Sequence, residues 1–131
     1  MKILLGLLVS AQAFACPDLR GTFVCETGET FEISQVENEK LTTYTVGGEK
    51  YLADGVKKTI TRGWYKFTKK TSCNDGSLII SEEQISDDFY TRDDNKFSLD
   101  FDQNLKLVYT STEIDMGEES IFEQVFSCSR R

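Results

Sequence analysis

The sequence predicts an all-β domain: an antiparallel up-and-down meander of 8–10 short strands that closes into a small, disulfide-stabilised barrel. Three observations carry this expectation. Turn signals recur at nearly even spacing, the runs between them are rich in Thr, Tyr, Phe, Val and Ile, and proline occurs once in 131 residues. Short β-branched and aromatic runs bounded by Gly, Asn and Asp are the pattern of sandwich and barrel strands, where proline would interrupt the ladders. No segment sustains the i, i+3, i+4, i+7 apolar stripe of a stable helix.

The turn signals are Thr27-Gly28, Asn38-Glu39, Gly47-Gly48, Asp54-Gly55, Asn74-Asp75-Gly76, Arg92 to Asn95, Asp102 to Asn104 and Met116 to Glu118. Three of them fix a register. A two-residue turn at Gly47-Gly48 sets Tyr44 opposite Tyr51. Another at Asp75-Gly76 pairs Cys73 with Leu78, Thr71 with Ile80 and Lys69 with Glu82, the last a cross-strand ion pair. A three-residue loop at Asp102-Gln103-Asn104 pairs Phe101 with Leu105, Leu99 with Leu107 and Phe97 with Tyr109, with Asn104 suited to a left-handed conformation. All six apolar residues then share one face, and a one-residue slip would expose the whole set.

Hairpin-length connections throughout let one apolar face be buried by closure of the meander on itself. Closure sets the first strand (Gly21 to Glu26) beside the last (Ile121 to Cys128), and hence Cys25 beside Cys128. A bridge there leaves Cys16 for Cys73, one of the three connectivities that four cysteines allow.

Residues 1–15 read as a cleaved signal peptide. Lys2 is a minimal basic region, Ile3 to Val9 is an apolar run, and Ala13-Phe14-Ala15 puts small residues at −3 and −1. The run is far shorter than the roughly 20 residues a membrane helix needs, so no transmembrane segment is expected. Cleavage after Ala15 leaves Cys16 first. Lipid anchoring there is disfavoured, because Ala13 and Phe14 stand where a lipobox carries a larger aliphatic and a small residue. Residues 16–131 then form a single β-barrel domain, secreted or periplasmic, in a compartment where an even cysteine count reads as disulfides.

The formal net charge is −7 and histidine is absent. Without histidine there is no Ser-His-Asp or Cys-His triad and no HExxH zinc site. No CxxC pair occurs. Asp100-x-Asp102-x-Asn104 fails as a calcium loop, because Leu105 stands at position six and Ser111 at position twelve. No enzyme activity, cofactor or metal is expected, and the acidic balance argues against nucleic acid as a partner. The expected state is a monomer that works by binding.

Two sets of residues are candidates for that binding. The aromatics Trp64, Tyr44, Tyr51, Phe97 and Tyr109 either line an apolar cavity or fill the barrel. From Lys57 to Lys70 there are six basic residues and no acidic one. On one extended strand Lys58, Arg62, Trp64, Lys66 and Lys70 share a face, suited to gripping an anionic group by charge and stacking.

Two resemblances add to this reading. The meander opening on Gly21-Thr22-Phe23 resembles the lipocalin-like (calycin) barrels, whose first strand carries Gly-x-Trp beside a basic residue. Here Phe23 takes the aromatic place, and Arg130 or Arg131 is the available base. The resemblance implies a small apolar or amphipathic ligand in the barrel. The stretch Phe23-Val24-Cys25-Glu26-Thr27-Gly28 through Phe31-Glu32-Ile33 looks like the opening of the periplasmic C-type lysozyme inhibitors. That family links this cysteine to one near the C-terminus, where Cys128 stands. Its inhibitory motifs have no counterpart, since Trp64-Tyr65-Lys66 is followed by Phe67. The leading expectation is therefore a lipocalin-like binding protein, with an inhibitor of a lysozyme-type hydrolase next and a ligand-free envelope structural protein third.

Overall fold

The computed structural model describes residues 16–131, so the expected signal peptide at residues 1–15 lies outside the described residues. The chain forms ten antiparallel strands: β1 (Gly21–Cys25), β2 (Thr30–Asn38), β3 (Leu41–Val46), β4 (Glu49–Leu52), β5 (Lys58–Arg62), β6 (Tyr65–Asn74), β7 (Ser77–Ile85), β8 (Phe89–Leu99), β9 (Leu105–Asp115) and β10 (Glu118–Arg130). They make one sheet in the order β4-β3-β2-β1-β10-β9-β8-β7-β6-β5. Among the described residues no helix is long and apolar enough to cross a membrane.

Every neighbouring pair in this order is consecutive in sequence except β1 and β10, which join as expected, with Cys25 directly opposite Cys128. The two disulfides are Cys25–Cys128 and Cys16–Cys73. They belong to an oxidising, non-cytoplasmic environment. The ring is incomplete, however. β4 and β5 are the two ends of the sheet and do not pair, so the molecule is a curled half-barrel with a split between them. The cause is local. β5 is exposed along its whole length and carries a single large apolar residue, Ile60, so it has no alternating apolar face to fold inward. The Ala53–Lys57 connection crosses the split and is held to β6 by one bond, Gly55 N–H to Thr71 O at 2.8 Å.

Two of the three expected registers hold: Tyr44 pairs with Tyr51, and Cys73, Thr71 and Lys69 pair with Leu78, Ile80 and Glu82. The third is displaced by two residues. Leu99 pairs with Leu105, Phe97 with Leu107 and Asn95 with Tyr109. An even shift keeps each strand residue on its expected face, which is why the pattern alone did not distinguish the alternatives. Asp100 decides it. Its carboxylate accepts the N–H groups of Asp102 and Asn104, and its own N–H reaches Asn104 O, which draws Asp100 and Phe101 out of the ladder. Gln103, rather than Asn104, takes the left-handed conformation (φ 67°), and the Phe101 side chain is fully exposed.

The expected turn at Arg92 to Asn95 does not form, because β8 runs through it. Asp93 and Asp94 are satisfied on the strand: Tyr109 donates to Asp93, while Ser81 and Arg92 donate to Asp94. The chain turns earlier, between Ile85 and Phe89. A second turn, at Gly63-Trp64, splits the basic stretch into β5 and β6.

The core lies toward the disulfide-linked end. Phe23, Ile33, Tyr44, Leu78, Ile80, Phe97, Leu105 and Leu107 are buried there. The N-terminal arm completes it. Cys16 ties the arm to β6, Pro17 O accepts from Tyr44 Oη at 2.6 Å, and Leu19 N–H donates to Gln35 at 2.9 Å. Leu19 itself has no exposed surface. An inward-turned arm thus completes the packed core at the disulfide-linked end of the curl.

Arg130 locks the β1–β10 junction from the outside of this core. Its guanidinium lies 4.9 Å from the centre of the Phe23 ring and donates to Arg20 O and Gln103 O. Gly21 permits the approach: its φ is 152°, and a Cβ there would lie 2.5 Å from Arg130 Nη1.

Candidate functional site

The aromatics expected to line a cavity are not brought together. Tyr44 and Phe97 are buried in the core, and Tyr51 is half-buried on β4. Tyr109 is half-buried and meets Phe122 edge-on at 6.3 Å. Trp64 stands at the tip of the β5–β6 hairpin, 76% exposed, with Tyr65 edge-on beneath it. Beside it runs an open groove of about 320 Å³ that includes Trp64, Tyr65, Lys66 and Ile85.

The Gly63-Trp64 turn also divides the basic face. Lys58 pairs with Lys69 and Thr61 with Lys66. Paired residues share a side, so Lys58 and Arg62 face inward with Tyr65, Phe67 and Lys69, whereas Lys66 and Lys70 face outward. The hairpin was legible as Gly-x between two alternating runs. Lys58, Arg62, Trp64, Lys66 and Lys70 therefore do not form one surface.

The structure gathers lysines differently, along the split. On the inner side Lys58 and Lys69 are directly opposite, a like-charge pair that is neutralised. Lys58 Nζ is 3.0 Å from Asp54, and Lys69 Nζ is 3.6 Å from Glu49 and 3.4 Å from Glu82. The Val56 backbone N–H and the Lys58 ammonium hold the Asp54 carboxyl below the usual carboxylate range. Lys69 also lies 5.3 Å from the centre of the Tyr51 ring. A hollow of about 130 Å³ opens at the split itself, where Lys50 and Lys70 border it from the outer side and Tyr51, Lys58 and Lys69 from the inner.

On the outer side a larger groove of about 320 Å³ runs over β6, β7 and β8. Its cationic residues are Lys57, Lys70 and Arg92, and Thr68, Ser72 and Ser81 supply hydroxyls. Its one carboxylate, Glu83, accepts from Tyr90 Oη at 2.6 Å, and Arg92 Nε lies 3.0 Å from the neighbouring Asp94. Sequence reasoning missed Arg92 in this role because it assigned Arg92 to a turn.

Burial raises the hydroxyl pKa of Tyr44 and Tyr51, that of Tyr51 to about 12 with Glu49 adding to the effect. Both values lie above the unfolded value near 10, so neutral tyrosine favours the folded state fully below about pH 10. That stability is lost as pH rises from about 10 toward 12. Urea unfolding midpoints are expected to fall between about pH 8 and pH 11, and to fall less in the Tyr44→Phe/Tyr51→Phe variant. An equal fall in the variant would assign the effect elsewhere.

No protein-family model matches the chain, and no curated protein or solved structure matches it significantly.

Proposed function

We propose that this is an exported binding protein that meets a macromolecular partner on its outer surface, and that the partner is a hydrolase of the lysozyme type. One observation carries the reading: the apolar interior is occupied by the protein's own arm, through Leu19, while its one tryptophan stands exposed at a hairpin tip beside an open groove. A buried side chain in the interior takes the volume a small apolar ligand would use. An exposed tryptophan is the residue type that most often anchors a protein interface. The charge of −7 favours encounter with a basic hydrolase. The disulfides agree with export, for which the signal peptide at residues 1–15, cleaved after Ala15, is the proposed route.

A second reading keeps the calycin-like expectation of a small apolar or amphipathic ligand. The stack of Arg130 on Phe23 supports it, because it sets a base against the first-strand aromatic. Such a ligand would use the open end of the curl, near Tyr109 and Phe122, rather than the filled core.

Incubating a panel of lysozymes with molar excess of the protein tests the first reading. Inhibition of at least one enzyme is expected, weakened about tenfold or more by Trp64→Ala, which removes a central aromatic anchor. Trp64 makes no core contact, so the variant's melting curve is expected to match the parent's. Full activity across the panel would overturn the reading.

A further inference from the structure

We infer that the outer groove beside the split is a binding site for an oxyanion carried on a saccharide, with Lys57 and Lys70 as its charged floor. Lys58 pairs with Lys69, so one step past the end of that ladder Lys57 comes opposite Lys70, on the outward side. Both line the groove. Like charges directly opposite across a ladder destabilise a sheet. The inner pair, Lys58 and Lys69, is relieved of that cost by Asp54, Glu49 and Glu82. The outer pair is not: among the described residues no carboxylate lies within ion-pair distance of Lys57 or Lys70.

The chain carries 22 acidic against 15 basic residues, so carboxylates to neutralise this pair are not scarce. Glu83 lines the groove opposite Arg92 and accepts from Tyr90, and Asp94 beside it is held by Arg92 and Ser81, so the groove's negative charge sits at its Arg92 end and not within ion-pair distance of Lys57 or Lys70. Two lysines that line one groove without a carboxylate in ion-pair distance leave positive charge that an arriving anion offsets, and such departures from local consistency concentrate at functional positions. Sulfate, phosphate and carboxylate all satisfy two ammonium groups at once.

The rest of the lining specifies what carries the anion. The groove, about 320 Å³, reaches the lower end of small-molecule site volumes, more than a bare anion occupies. Thr68, Ser72, Asn74 and Ser81 present hydroxyl and amide groups along it, and Ile79 is its one apolar side chain. A lining more polar than apolar, with hydroxyl and amide groups spaced along it, suits a hydroxylated ring better than a lipid tail.

The test uses the whole disulfide-bonded protein and a sulfated chondroitin oligosaccharide, titrated by calorimetry at low and high salt. Inorganic sulfate and a neutral maltooligosaccharide serve as the comparison probes. Binding of the sulfated sugar is expected, weakening with salt, and falling about tenfold or more in Lys57→Ala/Lys70→Ala as charge-assisted bonds are lost. The control Lys40→Ala/Lys106→Ala, altering exposed lysines on the β2–β3 turn and on β9, is expected to bind like the parent. Because neither Lys57 nor Lys70 holds a partner, their double variant is expected to melt no lower than the parent without ligand. Equal loss in the control variant would reduce the effect to general charge and overturn the site. So would undiminished binding in the double variant, or absence of binding by the parent. Binding of inorganic sulfate as tight as that of the sulfated sugar would overturn the saccharide assignment. The Trp64→Ala variant is expected to bind the sugar normally, which separates this site from the proposed hydrolase contact.

Discussion

Replacing Cys25 and Cys128 with alanine is expected to cost about 4–5 kcal/mol, the chain-entropy value for a loop of this length. The bridge spans a sequence separation of 103 residues, against 57 for Cys16–Cys73. It also joins the two strands that nothing else holds in sequence: β1 meets β10 through three register pairs, Phe23 with Arg130, Val24 with Ser129 and Cys25 with Cys128. Without it, β1 to β4 are attached to the rest of the sheet by that short ladder with the Arg130 contacts, by the arm, by the Lys69–Glu49 ion pair and by the crossing at Gly55. A domain of this size has roughly 5–15 kcal/mol in total, so the loss is a large share. Chemical denaturation of the double variant is expected to show a midpoint far below the parent's. A midpoint unchanged from the parent would mean that the junction is held by β1–β10 packing alone.

Phe23→Ala is the second large effect, expected at about 3–5 kcal/mol as for other fully buried aromatics. The ring has no exposed surface and lies against the core on one side and Arg130 on the other. Truncation opens a cavity at the centre of the packed end and leaves the Arg130 guanidinium without the face it stacks on. Arg130→Ala removes the stack and the bonds to Arg20 O and Gln103 O while leaving the ring buried, so a smaller loss is expected. Thermal melts of the two variants, run together, check the order. A greater loss in Arg130→Ala would place the weight of this junction on its hydrogen bonds rather than on burial.

The fold was legible where side-chain chemistry and turn chemistry agreed. Gly47-Gly48 and Asp75-Gly76 are two-residue turns whose geometry leaves one register, and the faces of β3, β4, β6 and β7 follow from them. Cys25 and Cys128 were readable as neighbours because a meander has one way to bring its ends together. The β8–β9 loop was misjudged by two residues because apolar alternation repeats with that same period, and only the capping bonds of Asp100 break the tie. Arg92 to Asn95 was taken for a turn on its polarity, which on β8 serves the cross-strand bonds from Tyr109 to Asp93 and Ser81 to Asp94 and the Arg92–Asp94 pair along the strand.

The site was less legible. A basic run reads as one face only if it is one strand, and Gly63 folds it into two. Lys57 and Lys70 become neighbours through that fold, and Arg92 joins them from β8 across β7. None of these is close in sequence, so the groove has no linear motif. The arm was likewise opaque. That Leu19 turns inward follows from the Cys16–Cys73 bridge and the Tyr44 bond to Pro17 O, both long-range.

The central claim is that the interior is filled by the protein itself and that recognition is external. Native mass spectrometry of the protein, purified from its producing cells without denaturation, tests it most directly. The account predicts a single species at the mass of the disulfide-bonded polypeptide, with no apolar molecule retained. A stoichiometric apolar adduct that dissociates only on unfolding would contradict it.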